Sequence, residues 1–193
     1  MLKKFIQLLT NSQLHLVSEI KALDKSCCPS SKQVIDFDAV KNIYCKNTAI
    51  KTIPKSCDAL LIEPNKDKIS FIEMKEIVSL IQELEQLKKA PTSQGAKDLV
   101  EYVFKTQFRA DKKILDSTFL LLDIAQQLDM DKDFYPYFVS NACNKKFYFV
   151  LGCTSREFVQ WRYSILPLMY KYEYFKFGQI ELIPAGNFDQ VFS

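Results

Sequence analysis

Glycine is scarce in this chain, four in 193 residues, which argues against long flexible linkers. Histidine appears once, as His15. The six cysteines (Cys27, Cys28, Cys45, Cys57, Cys143 and Cys153) form no CxxC pair. One histidine and no paired cysteines argue against a zinc site. No apolar run is long enough to span a bilayer, and no secretory signal is read at the N-terminus. The expectation is therefore a cytoplasmic protein with reduced thiols and no membrane partner. Arginine is limited to Arg109, Arg156 and Arg162, against a large excess of lysine. Lysine suits contact with phosphate, whereas arginine is the commoner reader of base edges. Any nucleic-acid binding is expected to be phosphate-directed rather than sequence-reading.

What is present is the material of a globular domain. The length predicts a single domain over 1–193, with an N-terminal helical segment over about 1–31 and a core over about 32–193. The net charge of +3 neither demands nor excludes a nucleic-acid partner, because a phosphate site can be local.

Apolar residues at Phe5, Leu8 and Leu9, then at Leu14, Leu16, Val17, Ile20 and Leu23, have helical spacing with a break at residues 10–12. Residues 57–63 and 69–75 read as two strands joined by a polar turn, a β-hairpin. Ile77, Leu80, Ile81, Leu84 and Leu87 then recur at helical steps. A second long helix is predicted from about residue 96 to residue 128, ended by the polar stretch 129–133. The aromatic run 146–152 reads as a strand, residues 154–169 as a helix, and residues 179–183 as a last short strand. The expected fold class is α/β, a small mixed central sheet flanked by helices. The helical stretch between Lys75 and Lys146 is long enough to bring the later strand back parallel to the hairpin.

The hairpin carries the chemistry. Residues two apart on a strand project to one face, so Glu73 and Lys75 share a face and Met74 points the other way. Folding the hairpin returns the end of its second strand to the start of its first, which brings Asp58 beside Glu73 and Lys75. Two carboxylates can bind Mg²⁺, which prefers oxygen ligands. A bound metal polarises phosphate and acidifies water. A nearby lysine can orient the attacking water or offset charge developing on phosphorus.

Residues 57–64 (CDALLIEP) and 69–76 (ISFIEMKE) resemble the core of the PD-(D/E)xK, restriction-endonuclease-like nuclease superfamily. The resemblance covers about residues 54–76, with a compatible order of elements downstream. It implies a restriction-endonuclease-like core and a Mg²⁺- or Mn²⁺-dependent endonuclease that hydrolyses phosphodiester bonds of DNA. By analogy, its service would be restriction, repair or defence against mobile elements. It implies Asp58, Glu73 and Lys75 as catalytic residues. Asp58, Glu73 and the backbone carbonyl of Met74 would be metal ligands, with either Asp36 or Asp38 as an added acidic ligand. The family proline usually stands directly before the aspartate. Here Cys57 stands there and Pro54 is displaced.

The same three residues would also suit an exposed hairpin face with a cross-strand ion pair. An alternative function is a catalytically silent nuclease-fold subunit that binds nucleic acid or a protein partner, within a larger complex or as a homo-oligomer. Candidate nucleic-acid contacts are Lys145 and Lys146 beside the aromatic strand. Lys171 and Lys176 join them from residues 170–177, where aromatics and lysines interleave.

Overall fold

A computed structural model describes residues 1–24, 27–76, 109–153, 158–159 and 179–193. The chain opens with α1 (Leu2–Asn11), which buries Leu2, Phe5 and Leu9 along one stripe. The next apolar stretch does not continue as a helix. It forms β1 (Val17–Glu19) and one short turn, α2 (Ile20–Leu23). After these come β2 (Gln33–Asp36), α3 (Phe37–Asn47), β3 (Ala59–Glu63) and β4 (Lys68–Glu76). Following residue 108 lie α4 (Ala110–Gln127), α5 (Asp131–Val139) and β5 (Asn144–Gly152). The described chain ends with β6 (Gln179–Pro184) and α6 (Phe188–Val191). The helices expected over residues 77–89 and 154–169 fall mostly outside the described residues.

Among the described residues, six strands join one mixed sheet in sequential order. The first four pair antiparallel, and β4, β5 and β6 are parallel. The sheet is wider than the sequence predicted, because β1 and β2 add an antiparallel edge to it. Their formation is a tertiary effect. Val17–Glu19 pairs with residues 33–35, and Asp36 donates its N–H to the carbonyl of Leu16 at 2.8 Å. Those bonds override the helical spacing of the segment.

The predicted hairpin is β3–β4, with Ala59 opposite Ile72 and Glu63 opposite Lys68. Its turn runs through a 3₁₀ segment, Pro64–Lys66, and closes at Asp67, whose φ of 45° is left-handed. The return from β4 to β5 is parallel, with Phe71 opposite Phe147 and Glu73 opposite Phe149.

Strand alternation sorts the core into two layers. On one face, Leu60, Ile69, Phe71, Phe147, Phe149 and Leu151 pack against α1, α3, α4 and α5. On the other, Ala59, Ile72, Met74, Tyr148 and Val150 pack with Ile20, Phe188 and Phe192. Glu73 and Lys75 follow Ile69 and Phe71 in register. They therefore project toward the larger, helix-covered layer. Among the described residues, no helix is long and apolar enough to cross a membrane.

The larger layer is closed by aromatics. Phe134 of α5 is fully buried, with its ring centroid 4.6 Å from Phe5 and 5.9 Å from Phe138. Replacing Phe134 by Ala removes that bridge between α1 and α5 and leaves a cavity. The expected cost is about 3–5 kcal/mol of unfolding free energy. Urea denaturation monitored by circular dichroism checks it, and a loss under about 1 kcal/mol would show that this layer closes without Phe134.

Candidate active site

Asp58 lies one residue before β3 and is held from three directions. Its carbonyl accepts the N–H of Phe37 at 3.0 Å, and its Oδ2 accepts the N–H of Met74 at 2.6 Å. The preceding Cys57 donates its N–H to Ser117 Oγ of α4 at 2.7 Å. Helix α3, strand β4 and helix α4 thus all fix the entry to β3. The carboxylate is turned to the same face as Glu73, one pairing step beyond Ala59 and Ile72.

Glu73 is fully buried, with 0% side-chain exposure. Its neighbours in β4 and β5 are apolar, so its charge needs partners inside the fold. Lys75 supplies one, with Nζ 2.6 Å from Oε1. The other is Lys113 of α4, with Nζ 2.6 Å from both Oε1 and Oε2. The same ammonium lies 3.6 Å from Asp58 Oδ1. Asp58, Glu73 and Lys75 are therefore gathered, as the hairpin register required. The cation lying between the two carboxylates is Lys113, a residue that the strand motif does not contain.

Sequence reasoning missed Lys113 because it lies beyond the crossover, on another element. No local signal marked it: in the helix predicted from about residue 96 to residue 128, Lys113 stands as an ordinary mid-helix lysine, and only the structure starts that helix at Ala110.

The acidic candidates upstream have other partners. Asp36 caps α3, its Oδ1 accepting the N–H of Ala39 at 2.8 Å. Asp38 is paired with Lys41 and accepts from Ser56 Oγ. Both still face a cleft of about 400 Å³, together with Asp24, Asp58, Met74 and Lys75. Met74 gives its N–H to Asp58 and buries its side chain in the second core layer. Among the described residues, no group of three or more His, Cys, Asp or Glu side chains is gathered so as to hold a metal ion. What converges is two carboxylates on one ammonium. The donors are all oxygen, which suits a hard divalent cation. Their shared focus is occupied by the Lys113 ammonium.

Lys145 is buried, and its ammonium donates to the carbonyls of Phe138, Ser140 (3.0 Å) and Cys143 (3.1 Å). It closes the C-terminal end of α5, where cations suit the dipole. Contact with phosphate would require it to leave those three acceptors. Lys146 pairs with Glu181 at 2.5 Å. Lys171 and Lys176 lie outside the described residues.

No protein-family model, no curated protein and no solved structure matches the chain.

The electrostatics of the pair are those of a crowded, dry site. Burial, then the charge of Asp58, push the Glu73 carboxyl up to about 7, against the pull of Lys113 and Lys75. Burial also raises the Asp58 carboxyl, opposed by Lys113 and by the N–H of Met74. For Lys113, burial alone would lower the ammonium, but Glu73 and Asp58 outweigh it and hold the ammonium above its ordinary value.

A raised carboxyl holds a proton in the folded protein that the unfolded chain has already released. Through Glu73, stability should then fall as pH rises from the unfolded value of 4.5 to about 7. Asp58 adds a slope of the same sign. Glu73→Gln should flatten the fall over that window, leaving the Asp58 part. Urea midpoints measured in metal-free buffer across the window test this, and an unchanged slope in the variant would remove Glu73 as its source.

Proposed function

We propose that this protein is a Mg²⁺- or Mn²⁺-dependent nuclease of the PD-(D/E)xK kind, with a restriction-endonuclease-like core, that hydrolyses phosphodiester bonds of DNA as an endonuclease. The observation that carries the reading is the convergence of Asp58 and Glu73 on one cation, with Lys75 beside them at the edge of the cleft. Asp58 and Glu73 would hold the metal, with Asp36 or Asp38 as the further acidic group. The bound metal would polarise the phosphate and make a water acidic.

The chain's own residues have separable parts. Asp58 is clamped through its carbonyl and Oδ2, which leaves Oδ1 directed at the cation. Lys75 is 27% exposed, so its ammonium can reach a phosphate in the cleft while still touching Glu73. There it would offset charge developing on the phosphoryl oxygens. Phosphate-directed binding of DNA rests on the lysine excess of the chain.

One observation favours a second reading, a catalytically silent nuclease-fold subunit that binds nucleic acid or a protein partner. Lys113 already neutralises the carboxylates from within. If that ammonium never leaves, the hairpin is a scaffold.

Two variants separate the readings. Lys75→Ala should lower cleavage of plasmid or linear duplex by about a hundredfold or more, the scale for losing one preorganised charge at a transition state. Thermal melting of the same sample should change little, because Lys113 still holds both oxygens of Glu73. Asp58→Asn should weaken calorimetrically measured Mg²⁺ binding and cleavage together. No cleavage by the wild-type protein with either metal on duplex or single-stranded DNA would favour the silent subunit. Full activity in Lys75→Ala would remove Lys75 from the chemistry.

A further inference from the structure

Resting on the metal-dependent reading above, we propose that Lys113 is an exchangeable counter-ion. Its ammonium holds the Asp58–Glu73 pair in the metal-free protein, and a divalent cation binds by displacing it.

Position comes first. The Lys113 ammonium reaches both oxygens of Glu73 at 2.6 Å and lies 3.6 Å from Asp58 Oδ1. A cation shared by those two carboxylates must occupy that same space. Lys75 reaches Glu73 at 2.6 Å and, among the described residues, makes no ion pair with Asp58. Of the two lysines, Lys113 is therefore the one in the way.

Charge comes second. Two carboxylates and two ammoniums sum to zero. A divalent cation added without release would leave the group at two positive charges around a side chain with no exposure to water. Burying unpaired charge is strongly unfavourable. One ammonium must leave for the metal to enter, and its departure halves the excess, from two positive charges to one.

The helix supplies the third argument. Lys113 sits at the start of α4 (Ala110–Gln127), where its charge opposes the helix dipole, and the helix has no side-chain cap at its N-terminus. The residue at the N-cap position, Arg109, has a left-handed backbone with φ of 47°. The helix gains nothing electrostatic from a lysine here, whereas the carboxylates do. Lysine also suits exchange, being a compact charge on a flexible stem. Its side chain is 14% exposed, so a way to solvent is open.

The consequence is a metal affinity lowered by the work of displacement, in a protein whose core stays neutral and folded without metal. Titrating MnCl₂ into the full chain by calorimetry tests this with Lys113→Met, which keeps the stem and removes the charge. The variant should bind Mn²⁺ about tenfold or more tightly than wild type, a coupling of ordinary size between competing occupants. Binding by the variant alone also supports exchange. Equal or weaker binding in the variant, with wild type still binding, overturns the exchange and leaves the metal site standing. No binding by either overturns the metal reading, and the exchange with it.

A second measurement needs no variant. Reductive methylation of wild-type protein, read by peptide mass spectrometry, should show Lys113 modified several-fold faster with saturating Mn²⁺, while Lys145 is unchanged. A Lys113 rate indifferent to bound Mn²⁺ overturns the proposal.

Discussion

A carboxylate with no exposure, set into the apolar face of a sheet, is the constraint on which the site depends. Glu73 lies on β4 in register with Ile69 and Phe71, and across from Phe149 on β5. Without a positive partner, that position could not hold a charge. The partner comes from α4, brought over the sheet by the crossover that the parallel β4–β5 pair requires. The same helix steadies the other carboxylate, through the Ser117 hydroxyl that receives the N–H of Cys57. One helix thus sets both the charge and the geometry of the pair.

Energetics explain why the charges call for an account beyond stability. Removing one partner from a buried ion pair costs roughly 3–5 kcal/mol, yet replacing the whole pair with well-packed apolar groups is often neutral or favourable. A leucine-like pair at Glu73 and Lys113 would serve the core as well. On the proposed reading the charges remain because they bind something: an internal ammonium in the resting protein and a divalent cation in the working one. The cleft beside them, lined by Asp24, Asp36, Asp38 and Lys75, carries the site's charged groups toward solvent.

Much of this was written in local sequence. Ile69, Phe71, Ile72 and Met74 alternate cleanly between the two core layers, so the hairpin and the face of Glu73 were legible from period alone. The aromatic strand β5 was legible as a continuous apolar run of strand length, and it starts two residues earlier than that run. What could not be read was set by distant pairing. β1 is three residues long and exists because Gln33–Asp36 lies beside it. Helix α5 contains Pro136 and begins inside a polar stretch that read as a terminator. Lys113 looked like an ordinary helical lysine, and only the folded crossover shows what it faces. Lys145, read as a nucleic-acid contact, turns inward to three carbonyls, Phe138 in the last turn of α5 and Ser140 and Cys143 after it. Local pattern records which face a residue occupies; it does not record what the opposite element brings to that face.

The most direct test of the central claim is a crystal of the wild-type protein soaked in MnCl₂, with diffraction collected to reveal anomalous scattering. The account predicts a manganese peak between the carboxylates of Asp58 and Glu73, with the Lys113 ammonium moved off both oxygens of Glu73. A soaked crystal in which Lys113 still holds Glu73, with no anomalous peak at the pair, would contradict it.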